Sequence, residues 1–120
     1  MAKNLEISFL LDFYGQVLTE KQRDVMEQYY NDDLSLAEIA DNFGITRQGV
    51  RDAIKRGEAI ILDLEEKVGF AARYRAVQSG VARIAQLARD IRFANSGYGA
   101  DPKVEEAASQ IIAITEQISE

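Results

Sequence analysis

Arg47, Arg51 and Lys55 recur every fourth residue, with Gln48 and Asp52 one position on and Arg56 bordering them. On a helix the three cations form one stripe, because residues four apart share a face. Arginine can pair with O6 and N7 of guanine, glutamine with N6 and N7 of adenine, and the remaining cations with phosphates. Arg47, Gln48, Arg51, Asp52, Lys55 and Arg56 are therefore a candidate nucleic-acid-binding set. The alternative is the solvated charged face of an ordinary three-helix domain. Other chemistry finds few parts. The 120 residues include no cysteine and no histidine, which removes disulfides, thiolate nucleophiles, the usual zinc ligands and the commonest general base. Asn31, Asp32 and Asp33 lack the spaced ligands and closing glutamate of a calcium loop. Asp63, Glu65 and Glu66 can supply a carboxylate pair, but no nucleophile or histidine accompanies them. No catalytic residue, metal or cofactor is expected, and the chain does not read as an enzyme.

The stripe needs elements to hold it, and SLAEIADNFGITRQGVRDAIKR supplies them. Ser35 and Glu38 form a capping box ahead of an apolar period in which Leu36, Ile39, Ala40 and Phe43 share a face. Gly44 stands where the chain must turn sharply, and Thr46 can cap the next helix, which turns Val50, Ala53 and Ile54 inward. Small Ala40 at the crossing lets the two backbones approach. This spacing predicts a helix-turn-helix. Upstream, Leu5 to Tyr14 is apolar on nearly all sides and predicts a mostly buried helix ending at Gly15 or Gln16. Thr19 and Gln22 form a second capping box, opening a helix with the stripe Val25, Met26, Tyr29 and Tyr30. Asn31 to Asp33 ends it.

The stretch from Leu18 to Val68 resembles region 4 of bacterial sigma factors, in LTEKQ, in the aromatic pair Tyr29 and Tyr30, in LAEIADNFGIT and in the basic helix that follows. Within that superfamily FYGQVLTEKQ and YYNDDLSLAEIA most resemble the YlxM-type helix-turn-helix proteins. That resemblance implies a regulatory or accessory role associated with the signal recognition particle pathway, and no chemistry. It implies double-stranded DNA as partner, with RNA or protein components of the particle as the alternative. Gly49 departs from the stiffer residues usual in a sigma recognition helix.

Composition bounds these readings. A chain of 120 residues with 47% hydrophobic content suits one folded core, or one small domain with an appended segment. No run approaches a membrane span, and MAKNLEISFLLDFYGQVL lacks the basic start and small-residue cleavage site of a leader, so a soluble cytoplasmic protein is expected. The net charge of -6 opposes wholesale attraction to DNA. Between Arg47 and Arg56, however, four cations face Asp52 alone. Binding through so small a patch is weak in a monomer and steeply dependent on salt.

Beyond Glu58 the helical period continues through Ile60, Ile61, Leu64 and Val68, with Gly57 a weak spot worth about 1 kcal/mol against alanine. Phe70, Tyr74, Val77, Val81, Ile84, Ala88 and Ile91 then alternate at spacings of four and three, a heptad pattern. Gly80 beside it suggests a kink or a close helix contact. NSGYG is a turn, after which Asp101 as cap and Pro102 open a last helix with the stripe Val104, Ala108, Ile111, Ile114 and Ile118. Leu87, Ile112 and Phe93 look surplus to what a two-helix hairpin hides. A homodimer follows as an expectation, with Phe70, Tyr74, Val77, Val81, Ile84, Ile91, Ile111 and Ile118 at its interface. A tail folded back on Leu5, Phe9 and Phe13, or a foreign partner, is the alternative. Arg73, Arg75, Arg83, Arg89 and Arg92 offer either an RNA or protein contact surface or a solvated helix face. The expected architecture is all-α, a sigma-factor-region-4-like helix-turn-helix domain over residues 1–68 with a C-terminal helical tail over 69–120.

Overall fold

The computed structural model describes residues 3–119. Among them the protein is all-α: α1 (Leu5–Tyr14), a 3-10 turn (Gly15–Val17), α2 (Glu20–Tyr30), α3 (Leu36–Phe43), α4 (Arg47–Val68), α5 (Phe70–Ala94) and α6 (Pro102–Ser119), with no strand. Among the described residues no helix is long and apolar enough to cross a membrane. The chain divides into two compact units between Ala72 and Arg73.

In the first unit both predicted capping boxes form. Thr19 and Ser35 each accept from the backbone N–H three residues on, while Gln22 and Glu38 reach back to the cap N–H groups. The core then closes in two adjoining clusters. In one, Val25 and Tyr29 of α2, Ile39 and Ala40 of α3, and Val50 and Ile54 of α4 are buried together. In the other, Ile7, Leu10, Leu11 and Tyr14 of α1 meet Leu18, Met26, Ile61 and Ala71. Burial of each large aliphatic side chain here contributes roughly 1.5–3 kcal/mol.

Three details run against the sequence expectation. Leu5 is 76% exposed, because a ten-residue helix offers only one side to α2 and α4; Ile7, Leu10, Leu11 and Tyr14 take that side. Ile60 and Val68 are also exposed, so the inner face of α4 narrows to Ile61 and the half-buried Leu64. Gly57 is no weak spot. It is buried, and a Cβ built there would stand 2.1 Å from the sulfur of Met26. The missing side chain is what lets α2 lie close to α4.

Glu65, one of three neighbouring carboxylates in the sequence, joins three elements. It accepts from the Tyr14 hydroxyl at 2.6 Å and from the backbone N–H groups of Ala71 and Ala72 at 3.0 Å each. Gly69 ends α4 with φ 67°, so α5 starts one residue later with Glu65 capping its exposed N–H groups. Burial, then the Glu65 hydrogen bond, raises the Tyr14 pKa above its ordinary value.

The second unit consists of the rest of α5 and α6. The turn between them is fastened by Asn95, whose amide donates to the Asp101 carbonyl at 2.8 Å and whose oxygen accepts from the Asp101 N–H at 3.0 Å. Asp101 caps α6 through the Lys103 N–H, as its place before Pro102 predicts. The residues that lose their exposure are mostly small: Val81, Ala85 and Ala88 on α5, and Ala108, Ile112 and Thr115 on α6. Ile112 is thus covered within this unit and is not surplus. Gly80 has nothing within 4 Å of a built Cβ, so it marks no close contact, and α5 passes through it unbroken.

Candidate nucleic-acid interface

The turn that sets the interface is made as the sequence requires. Gly44 ends α3 with φ 64° and ψ 35°, the left-handed region open to glycine at no steric cost. Its N–H and that of Ile45 return to carbonyls in the last turn of α3. Two residues later Thr46 begins α4, its hydroxyl accepting from the Gly49 N–H at 2.9 Å. A Cβ built at Gly49 would stand 3.3 Å from the Thr46 hydroxyl, so the small residue suits the tight entry into α4.

Val50 and Ile54 are buried toward α2 and α3, while Arg47, Arg51 and Lys55 start beside that line and turn on average about a quarter-turn away from it into solvent. Arg47, Gln48, Arg51, Lys55 and Arg56 are all exposed and Asp52 is half-buried. Among the described residues no ion pair engages the cationic stripe. Gln48 is engaged: its amide donates to Asp52 at 3.0 Å. This holds Gln48 along the helix with its own oxygen still available, and it places the one anion of the segment behind the stripe.

One residue that spacing did not single out joins this surface. An open cavity of about 380 Å³ lies between the first turn of α2, at Thr19, Lys21 and Gln22, and the flank of α4, at Gly49, Asp52, Ala53 and Arg56. Lys21 and Arg56 thereby line one groove although 35 positions separate them in sequence. No periodicity within a single helix signals such a pair; only the packing of α2 on α4 does.

Further from the stripe, the acidic turn is a structural joint. Lys3 pairs with Asp33 and lies 4.5 Å from the centre of the Tyr29 ring. Its ammonium holds the Asp33 carboxyl below the usual carboxylate range. Asp33 itself adopts φ 55°, a conformation aspartate tolerates better than most residues. The Tyr30 hydroxyl donates to Glu58, and burial followed by that carboxylate pushes its pKa well up.

The expected dimer residues separate into two groups. Val81 is 8% exposed and belongs to the inner side of the α5–α6 pair. Phe70, Tyr74, Val77, Ile84 and Ile91 on α5, and Ile111 and Ile118 on α6, keep between 38% and 60% of their surface. Leu87, Phe93 and Ile114 are exposed as well.

Residues 1–95 match the family described as "Putative helix-turn-helix protein, YlxM / p13 like". Proteins named UPF0122 protein from Bacillus cereus (strain AH187), Bacillus anthracis (strain A0248) and Bacillus thuringiensis subsp. konkukian (strain 97-27) are each 42% identical to the chain over 95 residues. The aligned part covers 79% of this chain and 86% of theirs. The match takes in α1 to α5 and stops before α6.

Proposed function

The chain belongs to the UPF0122 family of YlxM/p13-like helix-turn-helix proteins, and from that premise we propose that it is a DNA-binding regulatory protein, with α4 as the helix that enters the major groove. The observation that carries this reading is the exposed stripe Arg47, Arg51 and Lys55 on the outer side of a helix that a glycine turn and a threonine cap hold against α3. Arg47 and Arg51, near the N-terminal end of α4, have the reach for guanine edges, and Gln48 for adenine. Lys55, Arg56 and Lys21 take phosphates, the last two from either wall of their groove. A single patch neutralises few phosphates, so the active form in this reading is a homodimer joined through the C-terminal helices, reading half-sites roughly 34 Å apart. The resemblance to YlxM-type proteins favours targets connected with the signal recognition particle pathway.

The test is a titration of duplex DNA and of structured RNA at two salt concentrations. Duplex binding is expected to weaken steeply with salt, and the Arg47→Ala, Arg51→Ala double variant to lose at least about tenfold in affinity and to flatten the salt slope by roughly two ions. Unchanged retention of DNA by that variant at low salt removes α4 from the groove. Preference for structured RNA over duplex, lost in the same variant, moves the surface to an RNA partner.

A further inference from the structure

The α5–α6 pair has two dissimilar sides, and their placement follows from burial and helical period. Measured around α5 from the inner line of Val81, Ala85 and Ala88, the residues Ile84, Leu87 and Ile91 fall about a quarter-turn to one side, and Ala82 and Arg89 to the other. Around α6, measured from Ala108, Ile112 and Thr115, the residues Ile111, Ile114 and Ile118 fall to one side and Glu116 to the other. Ala82 and Arg89 share an open cavity with Glu116 and Ser119. The polar flanks of both helices are therefore on one side of the pair, and the two apolar stripes lie together on the opposite side. They form one surface of roughly 600 Å², at the top of the range of largest patches on monomeric proteins and near the roughly 800 Å² that each partner contributes to a standard interface.

Resting on the homodimer reading above, we propose that this apolar side is closed by the same side of a second copy of the chain, in a four-helix arrangement. Two observations select that occupant. Ile84 and Ile91, like Ile111 and Ile118, are seven residues apart, the repeat at which helices of a bundle interlock side chains over several turns. From Arg73 to the end of the chain six cations balance six anions, so these units of two copies approach without net repulsion of their own. The inner line of alanines also keeps α5 and α6 thin, leaving the isoleucines to fill the space between two hairpins.

The full-length chain tests this directly. Sedimentation velocity at micromolar concentration is expected to give a dimer, and the Ile84→Glu, Ile114→Glu double variant a monomer with unchanged far-ultraviolet helicity, dissociation strengthening by roughly a hundredfold or more as carboxylates enter an apolar interface. Arg89→Gln, on the polar side, remains dimeric. A monomeric wild-type chain overturns both the homodimer reading and this assignment. A dimer untouched by the double glutamate variant leaves the homodimer standing and overturns this surface.

Discussion

The two units spend their apolar side chains in opposite ways. In the first unit most of the large aliphatics of four helices are directed inward, and Ile39, Val50, Ile54 and Ile61 lose all their exposure, while Leu5, Ile60, Leu62 and Val68 stay outside the core. In the second, alanines line the inner side while isoleucines and Leu87 remain half exposed. Charge divides the same way: the whole net charge of -6 lies in residues 1–72, and the remainder is neutral. One region closes a core of its own and carries on its surface a cationic stripe suited to a partner of opposite sign. The other is apolar and neutral on the side it leaves open, which suits a partner like itself.

Core truncation should give the largest contrast. Ile54→Ala is expected to cost about 2–5 kcal/mol by leaving a cavity among α2, α3 and α4, whereas Ile84→Ala should change the stability of the isolated protomer by less than about 0.5 kcal/mol; urea unfolding measured below the dimer concentration checks both. Comparable losses would erase the distinction between a closed and an open core. The glycines sharpen it with opposite signs. Gly57→Ala, facing the Met26 sulfur at 2.1 Å, is expected to destabilise by roughly 1–3 kcal/mol despite alanine's better helix propensity. Gly80→Ala, in open space, should stabilise by about 0.5–1 kcal/mol, so thermal melts are expected to move in opposite directions.

A smaller effect separates the capped helices of the first unit from its surface. Ser35→Ala removes the oxygen that accepts from Glu38 N–H and is expected to cost about 1 kcal/mol, with Ser35→Asp recovering most of it. The smallest concerns alkaline pH. The folded-state pKa of Tyr30 is raised by burial and then by Glu58, so its contribution is complete below the ordinary tyrosine pKa near 10 and is lost as pH rises toward the folded value. Ultraviolet titration should show a late-ionising tyrosine that disappears in Tyr30→Phe, together with a gentler alkaline loss of stability.

Much of the first unit was legible because its signals are local. Ser35 with Glu38, Thr19 with Gln22, Gly44 and Thr46 each act within one turn of the backbone, and the 4-4 spacing of Arg47, Arg51 and Lys55 fixes their common side once a helix is granted. The binding set itself remains a proposal resting on that spacing and exposure. Family membership was legible too, through FYGQVLTEKQ and the segments that follow it.

Tertiary structure alone decided what depends on which helix lies against which. Gly57 has the same propensity cost anywhere in α4, and only the position of Met26 turns it into a requirement. Glu65 resembles any solvated glutamate until Tyr14 and the start of α5 converge on it. The heptad pattern of α5 identified an apolar stripe, but a stripe wider than one partner leaves its inner line undetermined. The residues actually covered, Val81, Ala85 and Ala88, are smaller than most of those the pattern emphasised. A sequence specifies the period of a helix and the groups that end it, because both are set within a few residues; it does not specify the rotation of that helix about its axis, which is settled by how its side chains fit a neighbour distant in the chain.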